Sequence, residues 1–150
     1  MVSGRVVRLF TANAEFQQIE ALRNNRNRRH RAQVFFVEGV RPISLAVRHS
    51  WPIEALCYAA ETPRSGWASE MLQQAQPRVV YELTTALMQR LSQKSETSEL
   101  IALVGMPADD LERIAVHDQL LALVFDRPAS PGNLGSIIRS ADALGVDGLV

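Results

Sequence analysis

Short apolar runs alternate with amphipathic stretches along most of this chain, and that alternation limits its fold more than any other feature. The runs are Val34–Glu38, Ile53–Tyr58, Arg78–Tyr81 and Leu100–Val104. Each has the length and the β-branched or aromatic content of a strand. Helix signals lie between them. Asn13 caps a predicted helix running to about Asn24, with Phe16, Ile19 and Leu22 on one face. Pro42 opens a helix through about His49, in a first turn where its missing N–H costs nothing. Helices are also predicted from Ser65 or Gly66 to Gln74 and from Thr84 or Thr85 to Leu91. Repeated strand–helix order predicts an α/β fold: a mainly parallel central sheet flanked by helices. Residues 11–106 form this expected domain, and residues 1–10 are read as an N-terminal extension.

After that block the composition turns polar at Pro107-Ala108-Asp109-Asp110. A linker is predicted over residues 107–118, with a short helix at Leu111 to Val116. A strand over Leu120–Phe125 follows, then a loop to Gly132, a helix from Asn133 or Leu134 to Leu144, and a further strand opening at Gly148. A strand–helix–strand piece cannot bury both of its faces. Residues 119–150 are therefore read as the start of an incomplete second domain.

Apolar residues make up 47% of the chain, which excludes a disordered tail. The formal net charge is zero but unevenly spread. Residues 1–50 hold nine arginines against Glu15, Glu20 and Glu38, a net +6, and residues 51–150 balance it with −6. Such a dipole gives one pole that attracts polyanions. Cys57 is the single cysteine, so no internal disulfide and no multi-cysteine metal site can form. It sits inside a strand run and reads as buried filler. His30, His49 and His117 have no ligand spacing, and no metal is expected. The opening Met1-Val2-Ser3-Gly4-Arg5 lacks the apolar stretch of a signal peptide, and no run reaches membrane-spanning length. The expected location is the cytoplasm, with no membrane partner.

Two segments carry chemical information. The first holds Arg23, Arg26, Arg28, Arg29 and Arg31 within nine residues, interleaved with asparagines and free of acidic side chains. It reads as an exposed loop or a fraying helix end. Its arginines suit phosphates and its asparagines suit phosphates or base edges. The plainer alternative is a solvated loop that keeps the protein soluble. The second is Asn133 to Gly145. Leu134, Ile137, Ile138, Ala141 and Leu144 form an apolar stripe, with Arg139 on the opposite side and Gly135 one turn before it. Asn133 at a helix start and Arg139 beside an open glycine would suit a phosphate or ribose. The alternative is an ordinary amphipathic helix with Arg139 and Asp142 as a weak surface pair.

Asn133-x-Gly135-x-x-x-Arg139-Ser140-Ala141-x-x-Leu144-Gly145 resembles the first motif of the SpoU branch of the SPOUT RNA methyltransferases. The preceding Phe125-Asp126-Arg127-Pro128-x-x-Pro131-Gly132 is similar too, with Ser130 where that family usually has Asp. Upstream, Arg31 followed by Phe36-Val37-Glu38-Gly39-Val40-Arg41 resembles the family's substrate-binding domain, and Ser95 to Val104 its last loop and strand.

The resemblance implies the fold of small ribosomal proteins that bind kinked RNA, followed by an incomplete SPOUT (knotted, Rossmann-like) domain. It implies transfer of methyl from S-adenosylmethionine to a ribose 2′-hydroxyl of rRNA or tRNA by a full-length homodimer. Asn133 and Arg139 carry over as active-site residues. Guanidinium keeps its proton at neutral pH, so Arg139 would orient the hydroxyl and a phosphate and stabilise the alkoxide rather than act as a base. The donor-binding residues are expected beyond Val150, so the 150-residue chain alone is expected to hold no donor and to be inactive. Glu38 is read as structural or RNA-orienting. Two competing readings remain: a non-enzymatic RNA-binding module resembling ribosomal proteins, and a small nucleotide-binding α/β protein using the turn at residues 131–135.

Overall fold

The computed structural model describes residues 4–127 and 130–150; Pro128 and Ala129 of the motif loop lie outside the described residues. The chain divides into two compact units, Met1–Pro107 and Ala108–Val150. The boundary falls at the start of the segment read as a linker.

In the first unit five strands form one sheet. They are β1 (Arg5–Leu9), β2 (Val34–Glu38), β3 (Ile53–Ala59), β4 (Val79–Leu83) and β5 (Ile101–Gly105), in spatial order β1-β4-β3-β5-β2. The four strand runs seen in the sequence are thus joined. Two features differ from expectation. Residues 1–10 are not a mere extension, because β1 pairs in parallel with β4 over Arg5↔Val79 to Leu9↔Leu83. The sheet is mixed rather than mainly parallel: β3 and β4 are parallel, but β5 runs antiparallel to both β3 and β2. A register shift between Ile53 and Ala55 leaves Glu54 as an extra residue opposite β5.

The helices are α1 (Ala14–Asn24), α2 (Arg26–Ala32), α3 (Val40–Arg48), α4 (Gly66–Gln74) and α5 (Thr85–Leu91). Asn13, Ser65 and Thr84 cap α1, α4 and α5, each accepting a backbone N–H three residues on. The central strand β3 sends Leu56 and Tyr58 to one face, among Ile43, Ala68 and Leu72 of α3 and α4. It sends Cys57 to the other, among Phe16, Ile19, Leu87 and Leu91 of α1 and α5. A strand covered on both faces reads as an unbroken apolar run, which is why 55–58 shows no alternation.

The second unit is smaller. It contains a 3-10 turn at Leu111–Arg113, where a longer helix was expected, then β6 (Ala122–Leu123), α6 (Pro131–Ala143) and β7 (Gly148–Leu149). β6 and β7 pair in parallel. Ser130 caps α6 and Pro131 occupies its first turn, so the helix starts before Asn133. Gly145, at φ +69°, ends it: its N–H donates to Asp142 and that of Val146 to Ala141.

Candidate functional site

The five arginines of residues 23–31 do not sit on a loop. Asn25 closes α1 by donating to the Ala21 carbonyl at 3.0 Å, and its side chain accepts from the Arg28 N–H at 3.1 Å, starting α2. Helix α2 has no buried residue, so no apolar period marked it in the sequence. It is held at its ends instead. Arg29 turns inward and donates from Nη1 to the carbonyls of Leu22 at 2.8 Å and Arg23 at 2.9 Å, which α1 leaves unpaired. Arg23 donates to the Arg90 carbonyl at 2.6 Å, while its buried Nε has no partner. Arg90 in turn forms an ion pair with Glu20 at 2.8 Å and lies over the Phe16 ring. Arg23 and Arg29 therefore strap helices together. Arg26, Arg28 and Arg31 are exposed and available to a ligand.

At the far end of β2, Gly39 adopts φ +105°, a left-handed conformation that glycine tolerates. Lys94 Nζ occupies the space a side chain there would need. Beside it the Glu38 carboxylate accepts from the Ser92 hydroxyl and from the Gln93 N–H at 2.8 Å. Partial burial raises the Glu38 pKa, but these bonds, Ser98 and the Lys94 charge outweigh it and hold the carboxyl below its ordinary range. Glu38 is a latch tying β2 to the segment before β5. Glu99 does a similar job, accepting from the Ser65 N–H and hydroxyl, both at 2.7 Å, at the start of α4.

A cleft of about 480 Å³ opens at the carboxyl ends of β1, β3 and β4. Glu82 lies in it, bound by Arg8 Nε at 2.6 Å and by the Tyr58 hydroxyl at 2.6 Å, while Arg64 stands 4.6 Å over the Tyr58 ring. The hydrogen bonds from Tyr58 and Arg8 lower the Glu82 pKa. Sequence reasoning missed this cluster. Its members are far apart in the chain, and Arg8 stood in a segment read as an extension.

In the second unit, Asn133 and Arg139 are both exposed on α6. Six residues separate them, which places them about 120° apart around a helix, so they do not share one face. Arg139 instead joins Gly135 and Ser136: Nη2 donates to Ser136 Oγ at 3.2 Å, and a Cβ on Gly135 would lie 3.5 Å from Nη1. Among the described residues no carboxylate pairs with Arg139, so the Arg139–Asp142 pair is not formed. Of the stripe, Ala141 is buried but Ile138 and Leu144 are 48% and 75% exposed. The cleft between α6 and β6 is walled by Leu121, Leu123, Ile137, Ala141, Leu144 and Val146. Its lining includes only serine as a polar residue type, with no acid to grip ribose hydroxyls and no cation to grip a carboxylate. It does not fit an adenosyl donor. It fits apolar packing. Among the described residues no group of three or more His, Cys, Asp or Glu side chains is placed to hold a metal.

A mixed sheet between two helix layers, with an arginine-rich helix packed beside α1 and β2, defines an α/β domain with one strongly basic segment. Residues 13–102 match the SpoU L30e-like domain, and the chain belongs to this SpoU-type family. It is 51% identical over 144 residues to the 23S rRNA (uridine(2479)-2′-O)-methyltransferase of Streptomyces viridochromogenes, covering 95% of this chain and 50% of that protein. The crystal structure of the SpoU methyltransferase AviRb from the same organism, in complex with AdoMet, aligns at TM-score 0.78 and 52% identity over 91% of this chain and 52% of that one. An AdoMet-bound rRNA methyltransferase from Sinorhizobium meliloti shares the fold at TM-score 0.77 and 23% identity, over 97% of this chain and 54% of its own. The chain spans about half the length of these relatives.

Proposed function

We propose that this chain supplies the RNA-binding part of an S-adenosylmethionine-dependent ribose 2′-O-methyltransferase acting on rRNA. The observation that carries the reading is the set of exposed arginines Arg26, Arg28 and Arg31 around α2, which have no acidic partner among the described residues, in a domain of the SpoU L30e-like family. The 51% identity to an enzyme of 23S rRNA favours rRNA over tRNA. Asn133 and Arg139 are assigned to the reacting ribose. Arg139, oriented by Ser136, would hold the 2′-hydroxyl and its neighbouring phosphate and stabilise the alkoxide as it forms. Asn133 points from another side of α6, so the two residues would grip different groups of the nucleotide. The donor needs walls that residues 108–150 do not build, and the 150-residue chain alone is proposed to bind RNA without methylating it. In a polypeptide the length of its relatives, a homodimer working in the cytoplasm is proposed. No helix among the described residues is long and apolar enough to cross a membrane.

The test is binding to a transcribed 23S rRNA fragment across a salt series. The triple change Arg26→Ala, Arg28→Ala and Arg31→Ala should weaken binding and flatten the salt slope by roughly one unit per lost phosphate contact. Unchanged affinity and slope would reduce α2 to a solubility device. In a longer, active polypeptide Arg139→Ala should abolish turnover and leave donor binding intact; retained turnover would sink the assignment.

A further inference from the structure

β2 is an edge strand, hydrogen-bonded to β5 alone among the described strands. Between it and α3 lies a groove of about 290 Å³ lined by Phe35, Val37, Pro42, Leu45, His49 and Trp51. The Phe35 and Trp51 rings stand 5.8 Å apart, inclined by 36°. Phe35, Leu45 and Trp51 are 38%, 39% and 37% exposed. Three large apolar side chains around one groove mark a surface that favours an apolar contact. The platform is firmly held: the Trp51 N–H donates to the Ala46 carbonyl at 2.9 Å, and Ser50 takes a left-handed turn at φ +55° to place it there.

The charge carried by the neighbouring helices decides what kind of contact. Between Arg26 and Trp51 there are six arginines, and Glu38 is the one acidic residue. Glu38 is already engaged by Ser92 and Gln93. Arg28 and Arg31 precede Phe35 on α2, which runs into β2 through Gln33, and Arg41 and Arg48 stand two turns apart on α3. All four are exposed, and no acidic residue lines the groove. An aromatic floor walled by a helix that carries exposed arginines and no acid matches a flat base whose own backbone carries phosphates. An uncharged protein segment would cover the floor and leave the arginines without counter-charges. A fully paired duplex has no free base face to offer.

We propose that this groove seats one unpaired base of the bound RNA against Trp51 and Phe35, with the flanking phosphates directed at Arg41 and Arg48 of α3. This rests on the RNA-binding reading above and adds a specific stacking site to it. Selectivity then comes from unpaired structure as well as from charge.

The test uses the 150-residue chain and two labelled RNAs of equal length, a hairpin with an unpaired loop and a fully paired duplex, in fluorescence anisotropy. Trp51→Ala should weaken the hairpin roughly tenfold or more and leave the duplex within about twofold. Its salt slope should not change, because stacking releases no counterions. Trp51→Phe keeps a ring and should recover most of the loss, and it serves as the informative variant if circular dichroism shows that the alanine form is unfolded. Equal losses on hairpin and duplex, or no loss on either, would overturn the base seat while leaving the RNA reading intact. Failure of the parent chain to bind any RNA would overturn both. If Trp51→Ala alters self-association in sedimentation while RNA affinity stays the same, the groove belongs to a protein contact and the proposal fails.

Discussion

The two units use the same ingredients, strands followed by amphipathic helices, with opposite results. In the first, β3 and β5 are covered on both faces, and Phe16, Ile43, Leu56 and Ile101 are fully buried. In residues 108–150 Ala141 is the one buried side chain among those described, while Leu121, Val124, Ile138 and Leu144 are 51%, 75%, 48% and 75% exposed. The apolar stripe of α6 is no weaker a pattern than that of α1. What differs is the layer available to receive it: five strands in one unit, two in the other. Periodicity predicts a helix, but a helix is buried only if a second layer exists to cover its stripe.

The largest test of that contrast is a pair of truncations. Phe16→Ala should cost about 3–5 kcal/mol of stability in urea denaturation, because it empties a fully enclosed site. Ile138→Ala should cost under about 1 kcal/mol by the same measurement. Comparable losses would mean that the α6 stripe is covered in solution.

High pH should damage the first unit next. Burial pushes the Cys57 thiol from an ordinary 9.0 up to about 12. Burial, then the charge of Glu15, pushes Tyr81 from 10.0 up to about 12. The unfolded chain releases both protons earlier than the native one does. Their contribution is therefore complete below pH 9 and is lost as pH rises through 12. Thermal melts should stay level to about pH 9 and fall above it, with Cys57 unreactive to thiol reagents at pH 8. Rapid labelling of Cys57 in the folded protein would contradict its burial.

A smaller contrast lies within α2. Arg29→Ala should destabilise the first unit by about 1 kcal/mol, since it frees the α1 carbonyls it now holds. Arg26→Ala should leave the melt unchanged and act on RNA affinity alone. A reversed result would exchange the strap and the ligand contact.

The smallest effect belongs to Glu38, whose carboxyl is held below its ordinary 4.5. That contribution is present above pH 4.5 and lost as pH falls through the lowered value. Glu38→Gln should soften the acid limb of the stability curve and loosen residues 92–98 in hydrogen exchange. An unaltered acid limb would show that the latch is energetically idle.

Local signals made much of this architecture legible. Asn13, Ser65 and Thr84 start their helices through a side chain and a backbone N–H three residues away, so the sequence states the boundary directly. The strand runs of β3 and β5 were legible because burial on both faces demands apolar stretches, and those of β2 and β4 through their β-branched and aromatic residues. The Arg139 motif was legible as well, with Gly135 and Ser136 one turn before it on the same helix. Strand β1 was not. Its partner begins at Val79, and Arg5 and Arg8 give it the look of a basic tail. Helix α2 was not, since it buries nothing and leaves no apolar period.

Sequence by itself therefore determined strands β2 to β5 and the capped helices α1, α4 and α5, where the positive charge gathers and which motif α6 carries, because those properties are set within a turn or two of chain. Tertiary structure alone decided the direction of β5, the pairing of β1, the meeting of Arg8, Tyr58, Arg64 and Glu82, and the parting of five similar arginines into straps and free cations. Each of these depends on a partner many residues away or on another element of the fold. A guanidinium in sequence is the same whether a helix end or a phosphate awaits it, and only the packing of α1 against α2 and α5 takes Arg23 and Arg29 out of the solvent.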